Sequence, residues 1–337
     1  MEDAGPLAGV RVLELGGWRP VAHAGALLAD AGADVIKIEP PGGDPMRQWP
    51  QLWGNLVAGK RLQGSDLRDA DERETVLALA EDADVVIEGW RPGTADRLGV
   101  GPAVVRSRNP RVVYCSISGY GQLGPLAGVP GHDINYQAWA GALIPASGGA
   151  PEEPALPVAD LAAGTTAAFA ISAALVRARA TGDGALLDIA MSDVMVSWAG
   201  VHDHLAYSGD TEGDADPAGD PGYGLFATAD GWVALGIAVE DRFWDALCTA
   251  IELPDLVGVP IAARLRRRAE LRERVAAAMS QRARDELVAD LIAEDVPAAP
   301  VLRRSEVAGV EHHRARGVIT PEPPAVPPGS AVRQRWS

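Results

Sequence analysis

The chain has 337 residues, of which 46 are acidic and 30 are basic, and its formal net charge is −16. So acidic a chain argues against nucleic acid or an anionic membrane as its main partner, and any polyanionic ligand must meet a local basic patch. The length allows a large buried core and predicts about two domains.

The amino terminus and the cysteine content bear on where the protein works. The start of the chain has no basic region followed by an apolar one, as a secretion signal would have, and the longest apolar stretch, 161–176, is too short and too rich in Thr and Gly for a membrane span. Two cysteines make no disulfide framework. We therefore expect a cytoplasmic protein that does not bind a membrane.

Strands and helices alternate through the first part of the chain. A strand over 10–15, a helix over 22–32 and a strand over 33–40 form a βαβ unit. The alternation continues with a helix over 71–82, strands over 83–89 and 110–119, a long helix over 160–178 and a strand over 185–191. This order predicts a mainly parallel α/β sheet.

The remainder of the chain reads as a second, smaller α+β unit. The segment 207–224 is acidic and rich in Gly and Pro, which is typical of a linker. After it, "GLFATADGWVALGIAV" alternates around an Asp-Gly turn and predicts a hairpin, which helices rich in Ala, Arg and Glu follow.

The stretch "GVPGHDINYQAWAGAL" places a histidine beside an aspartate at the start of a predicted helix. Asp133 is a good N-cap for a helix that begins at Ile134, which leaves His132 just outside the helix near its positive end. A histidine there tends to be neutral and is suited to act as a base. The alternative is a capping turn with a solvent-facing histidine.

Several motifs together resemble the class III CoA-transferase superfamily of the CaiB/BaiF type. They are "RVLELGG", "LLADAGADVIKIE", "EGWRPGTADRLGVG", "NPRVVYCSISGYG" and "GYGQLGPLAGVPGHDINYQAWAGAL". The similarity runs through most of 6–205 and more loosely through 223–318, and the Gly-His-Asp-Ile-Asn-Tyr run is similar to the α-methylacyl-CoA racemases. The resemblance implies a large Rossmann-like domain with a smaller α+β domain, and a CoA thioester as the substrate, with no other cofactor and no metal.

The resemblance also implies a set of catalytic residues. His132 and Asp160 take the places of two bases on opposite faces of the substrate α-carbon, and Glu240 takes that of a glutamate bonded to the histidine. Inversion needs both bases, because a proton lost from one face must be regained on the other. The Asp133 amide would stabilise the enolate oxygen. Asp160 can instead be only the N-cap of a long helix, and Glu240 only a first-turn residue of a helix over 240–251.

Basic residues at two further motifs match the phosphate and adenine contacts of the superfamily. The matching residues are Lys60, Arg61 and Arg68 in "GKRLQGSDLR", and Arg91 and Arg97 in "EGWRPGTADRLG". As a group they predict a clamp for the CoA polyphosphate. The alternative is a set of solvated surface charges.

The sequence is compatible with three functions. The first is a racemase or epimerase of 2-methylacyl-CoA thioesters that uses His132 and Asp160. The second is a CoA-transferase in which Asp160 attacks the thioester. The third is an acyl-CoA-binding homologue with little activity. Pro40 stands where many members carry an arginine, and Trp18 and Arg19 stand where small apolar residues are usual.

The resemblance to the superfamily also implies an oligomeric state and a set of domain boundaries. Its members form interlocked homodimers in which each chain threads its partner. By analogy, residues 1–206 completed by 306–337 form the large domain, 207–222 the linker and 223–305 the small domain. We expect a homodimer whose site lies at the boundary between the large and small domains.

Overall fold

The computed structural model describes residues 5–143, 150–202, 220–317 and 319. The chain divides into two compact units, of which the first contains Met1–Gly209 and His312–Ser337 and the second contains Asp210–Glu311. Most of the predicted linker lies outside the described residues. The predicted domain boundaries therefore stay predictions.

A six-stranded parallel sheet with the order β3-β2-β1-β4-β5-β6 forms the centre of the first unit. Its strands are β1 (Arg11–Leu15), β2 (Asp34–Glu39), β3 (Lys60–Gly64), β4 (Val85–Glu88), β5 (Val113–Ser118) and β6 (Ala185–Ala190). This is the order of the classical dinucleotide-binding folds, and it confirms the predicted Rossmann-like α/β sheet. Strand β3 is absent from the elements predicted from the sequence.

Helices cover both faces of this sheet. The helices of the first unit are α1 (Arg19–Asp30), α2 (Pro50–Val57), α3 (Ala70–Glu81), α4 (Thr94–Arg97), α5 (Pro102–Arg108), α6 (Asp133–Trp139), α7 (Val158–Thr181) and α8 (Met191–His202). Val85 and Ile87 pack into one core with α1 and α7, whereas Val86, between them in the strand, packs into another with α3 and α5. Alternate side chains of a strand thus enter opposite layers, as expected for a sheet buried on both faces.

Helix α7 is longer than the apolar stretch that marks it in the sequence. It has 24 residues, and among the described helices it alone is long and apolar enough to cross a membrane, a test that core helices of soluble proteins also pass. Ala159, Ala163 and Ile171 are fully buried in the core it shares with α1 and the sheet. One side of α7 is therefore packed as an internal helix.

The second unit contains a three-stranded antiparallel sheet with the order β7-β8-β9. Its strands are β7 (Tyr223–Ala227), β8 (Trp232–Gly236) and β9 (Ala298–Pro300), and its helices are α9 (Asp241–Ala250), α10 (Ile261–Arg266), α11 (Arg268–Met279), α12 (Arg284–Ala293) and α13 (Arg304–Val307), with α14 (Glu311–Ala315) at the boundary. Strands β7 and β8 pair around the Asp-Gly turn as the predicted hairpin. The smaller α+β unit is thus confirmed.

Candidate active site

A cavity of about 900 Å³ lies in the first unit, where the loops that follow β1, β4 and β5 meet. Ligands of open α/β sheets bind at this carboxyl edge, beside the point where the strand order reverses. In this sheet the reversal lies between β1 and β4. The cavity therefore lies where the fold itself predicts a binding site.

Asp160, the third residue of α7, lines this cavity with a side chain that is only 16% exposed. Burial raises the pKa of its carboxyl to about 7, the negative Asp133 adds to the rise, and the positive Arg19 opposes it. The Arg19 Nη1 atom lies 3.6 Å from Asp160 Oδ2. A carboxylate poised near neutrality in a cavity is typical of catalytic groups.

The predicted cap of α6 is wrong by one residue. The helix begins at Asp133 and His132 is the N-cap residue, whose backbone N–H donates to Asn135 Oδ1 at 2.9 Å. The Asp133 carboxylate accepts instead the backbone N–H of Asp160 at 3.1 Å and the Gln137 side-chain amide. Asp133 is thus a link between α6 and α7, and its amide as an oxyanion donor stays a prediction.

His132 is exposed and lines the cavity that also contains Asp160. Its ring meets the Trp18 ring edge to face, with the ring centroids 5.3 Å apart. Trp18 has φ 76°, a region that residues with a Cβ rarely adopt. Strained backbone of this kind clusters at functional sites.

Three arginines face the same cavity, although the chain as a whole is strongly acidic. Arg91 and Arg97 belong to the predicted clamp, and Arg97 also donates to Thr94 Oγ1 at 2.8 Å. Arg19, the first residue of α1, also lines the cavity, and no motif of the sequence predicts a role for it. The guanidinium groups make this cavity a local site for anionic ligands.

The other members of the predicted clamp lie away from the cavity. The Lys60 ammonium is fully buried and bonds Glu14 Oε2 and the Ala22 carbonyl, each at 2.7 Å. Burial lowers its pKa, against the opposing charge of Glu14. A phosphate therefore cannot reach Lys60, and the sequence prediction for this residue is wrong.

Arg61 and Arg68 are exposed, and the cavity lining does not include them. Arg61 follows Lys60 in β3, so the two side chains point to opposite faces of the sheet. Two nitrogens of Arg61 pair with Asp34 on the neighbouring strand. The structure leaves Arg68 on the surface. A role in CoA binding stays a prediction for both.

Glu240 belongs to the second unit, where it is the residue before α9. Its carboxylate accepts the backbone N–H groups of Val239 at 3.0 Å and Ala238 at 3.2 Å. These backbone hydrogen bonds lower the pKa of the side chain. Its predicted bond to His132 stays a prediction.

The part of the chain that the structure describes contains no group of three or more His, Cys, Asp and Glu side chains that could hold a metal. The His-Asp-His run over 202–204 lies largely outside that part.

The protein thus has a doubly wound α/β sheet with a cavity at its carboxyl edge that three arginines line. The model of CoA-transferase family III matches residues 7–332. The chain therefore belongs to this family of enzymes, and the resemblance found in the sequence is confirmed.

Relatives of known activity are similar along almost the whole chain. A succinyl-CoA:mesaconate CoA-transferase of Haloarcula hispanica is 35% identical over 341 residues, covering 94% of this chain and 85% of that protein. A succinate–glutarate CoA-transferase of Agrobacterium fabrum is 31% identical over 338 residues, covering 93% of this chain and 84% of that protein. These names favour the transferase alternative over the racemase.

Solved structures agree with the family assignment. A CaiB/BaiF family protein from Brucella suis matches with a TM-score of 0.83 at 30% identity, over 94% of this chain and 89% of that chain. A hypothetical protein from Mycobacterium tuberculosis matches with a TM-score of 0.84 at 30% identity, over 95% of this chain and 93% of that chain.

Proposed function

We propose that the protein is a CoA-transferase that moves CoA between carboxylic acids with Asp160 as the nucleophile. The observation that carries the proposal is the mostly buried Asp160 carboxylate, which faces the cavity 3.6 Å from the Arg19 guanidinium. The activities named for the relatives from Haloarcula hispanica and Agrobacterium fabrum support it.

In the first half of the reaction, a carboxylate oxygen of Asp160 attacks the thioester carbonyl of acyl-CoA and CoA leaves as its thiolate. The thiolate then attacks the Asp160 carbonyl of the mixed anhydride. This step releases the donor acid as a carboxylate and leaves CoA joined to Asp160 as a thioester.

In the second half, the carboxylate of the acceptor acid attacks this thioester and CoA thiolate leaves again. The thiolate then attacks the acceptor's carbonyl in the new anhydride, which forms the product acyl-CoA and restores the Asp160 carboxylate. Each step exchanges one acyl bond for another, so no proton is consumed overall.

The surroundings of Asp160 suit a carboxylate nucleophile. Burial strips water from the carboxylate, and a poorly solvated anion is a stronger nucleophile than a hydrated one. Arg19 opposes the loss of charge that burial favours, so a pKa of about 7 leaves a large anionic fraction at neutral pH. Arg91 and Arg97, on the loop and helix after β4, are the proposed contacts of the CoA phosphates.

A racemase is the second candidate, because His132 and Asp160 line one cavity and the Asp160 pKa of about 7 suits an acid or base. It would show solvent deuterium at the α-carbon of a 2-methylacyl-CoA, from both enantiomers.

The deciding experiment gives the protein succinyl-CoA and a set of free acids whose carboxylates carry oxygen-18. The mechanism transfers one labelled oxygen to Asp160 during turnover, so the peptide that contains this residue should gain the mass of the label. Asp160→Asn should neither transfer CoA nor take up label. Asp255→Asn, which removes an exposed partner of Arg274 in the second unit, is the control and should behave as the unmodified protein.

Two results would contradict the proposal. Deuterium entry without CoA transfer would support the racemase. Binding of CoA with neither reaction would support the acyl-CoA-binding homologue.

The homodimer expected from the sequence is part of the same proposal. Helix α7 exposes Phe169 and Val176, which are 76% and 72% accessible, on the side away from its own core. The two residues are seven positions apart and so share one face of the helix, and a shared apolar face is suited to an interface. They support burial of this face by a second copy of the chain.

A further inference from the structure

Arg19 is held at the cavity by an unusual local structure. It is the first residue of α1 and follows Trp18, whose φ of 76° turns the chain out of β1. The turn is anchored on its inner side, because the buried Lys37 ammonium donates to the Gly16 carbonyl at 3.0 Å. The Arg19 guanidinium is thus preorganised, with a quarter of the side chain exposed.

The contact between Arg19 and Asp160 leaves the guanidinium able to bind a second anion. The 3.6 Å separation is longer than a good charge-assisted hydrogen bond, so the contact acts mainly through charge. A guanidinium has five donors in a planar fork that matches a carboxylate. The charged groups around it are Asp160, with Asp133 behind it. His23 lies on the next turn of α1, and burial lowers its pKa, which favours the neutral ring.

The proposed reaction removes the charge of Asp160 without removing that of Arg19. When the Asp160 carboxylate becomes an anhydride or a thioester, it is neutral. The partly buried guanidinium then faces the cavity without its anion, which is a costly state. A carboxylate entering from solvent compensates the charge.

We propose that Arg19 binds the carboxylate of the free acid substrate, and that it does so when Asp160 carries CoA. This inference rests on the proposed CoA-transferase function. One carboxylate oxygen meets the guanidinium, and the other attacks the Asp160 thioester carbonyl as CoA thiolate leaves. Arg19 is therefore specific for the acid, whereas Arg91 and Arg97 serve acyl-CoA.

The arrangement orders the reaction. In the resting protein, Arg19 already has Asp160 as its anion, so a free acid gains little there. In the thioester form the same acid has an unpartnered guanidinium to bind. Free acids should thus be weak inhibitors of the first half-reaction and good substrates of the second.

The test compares the unmodified protein with Arg19→Gln and Arg19→Lys, using succinyl-CoA and the free acid that is turned over fastest. Arg19 opposes the rise of the Asp160 pKa, so its removal raises that pKa further. All rates are therefore compared on the high-pH plateau of each variant's own rate profile, where Asp160 is ionised. Mass spectrometry of the intact protein with succinyl-CoA alone follows the Asp160–CoA thioester.

We expect Arg19→Gln to raise the KM of the acid by about 10- to 100-fold, as loss of a charge-assisted contact does, and to change the KM of succinyl-CoA by less than about threefold. The thioester should still form. Arg19→Lys should retain part of the affinity for the acid. A third variant, Arg19→Ala, should regain part of that affinity when guanidinium ion is added. Arg274→Gln is the surface control and should behave as the unmodified protein.

Two outcomes would overturn the inference while the transferase stands: an unchanged KM for the acid, or equal rises in both KM values. Rescue by guanidinium separates a folded but impaired variant from a misfolded one. Failure of the unmodified protein to transfer CoA to any acid would overturn the proposed function itself, and this inference with it.

Discussion

The Asp133 carboxylate accepts the backbone N–H of Asp160 at 3.1 Å, so the loop that ends in His132 is tied to the helix that carries the buried carboxylate. The same contact brings two acids together. Burial and the nearby Asp133 carboxylate raise the pKa of Asp160 to about 7.

The pH dependence of transfer should follow Asp160. The nucleophile is the carboxylate, so kcat/KM should rise with pH through about 7 and then level off. Asp133→Asn keeps a carbonyl acceptor for the Asp160 N–H but removes the neighbouring charge, so its profile should shift to lower pH. A rate profile over a range of buffers measures this. A shift in the opposite direction would show that Asp133 does not act through its charge.

The ionised form of Asp160 should also lower the free energy of unfolding at high pH. Its pKa is about 7 in the folded protein, whereas the ordinary value is 3.8. The folded state therefore binds the proton more tightly, and this stabilisation of the folded state is complete below pH 3.8 and is lost as pH rises through 7. Asp160→Asn should therefore stabilise the protein by on the order of 2–4 kcal/mol well above pH 7. Urea unfolding at low and high pH measures this, and equal changes at both would contradict it.

Lys60 should matter for stability and not for CoA. Lys60→Met leaves buried Glu14 with Lys37 as its remaining partner and should cost about 3–5 kcal/mol in the free energy of unfolding. Arg61→Gln, which breaks the exposed pair between β3 and Asp34 of β2, should cost about 0–1 kcal/mol. Normal stability of Lys60→Met with weakened CoA binding would return Lys60 to the clamp.

Arg91 should contribute to the binding of acyl-CoA. Arg91→Ala should weaken it by roughly 1–3 kcal/mol, and binding by the unmodified protein should fall with salt. Calorimetry with a nonhydrolysable acyl-CoA analogue measures both. An unchanged dissociation constant would identify Arg91 as an ordinary surface charge.

The protein should be a homodimer in solution. Phe169→Ser and Val176→Ser on α7 remove exposed apolar side chains and should weaken the dimer or leave aggregates. Light scattering at micromolar concentration measures the mass. A monodisperse monomer of the unmodified protein would contradict the prediction.

The parallel sheet could be predicted because its inner strands are apolar runs that alternate with helices. Strand β3 could not, because Lys60, Arg61 and Gln63 give it no apolar alternation, and its central Leu62 is exposed. The pairing with β2 and the buried partner of Lys60 hold it in the sheet. Strand β2 and Glu14, the buried partner of Lys60, are both far from β3 in the sequence.

The acidic residues of the cavity lining were named from the sequence, whereas no role was assigned to Arg19, which also lines the cavity. His132, Asp133 and Asp160 were found through the resemblance to a family, and the structure gathers them at one cavity. The cap of α6 was misassigned because the Asp133 carboxylate bonds a backbone group 27 residues away rather than its own helix. The position of Arg19 at the carboxyl end of β1 was the available signal for its role.

The buried ammonium of Lys60 has a consequence for how the chain folds. Side chains of a strand alternate between faces, so sliding β3 by one residue along β2 would turn Lys60 away from Glu14 and bring Arg61 or Gly59 to its place. With Gly59 in that place, the buried Glu14 charge would have one partner fewer. With Arg61 there, it would face a larger cation. A polar edge strand cannot be aligned by its apolar residues, and here a single ion pair selects the alignment.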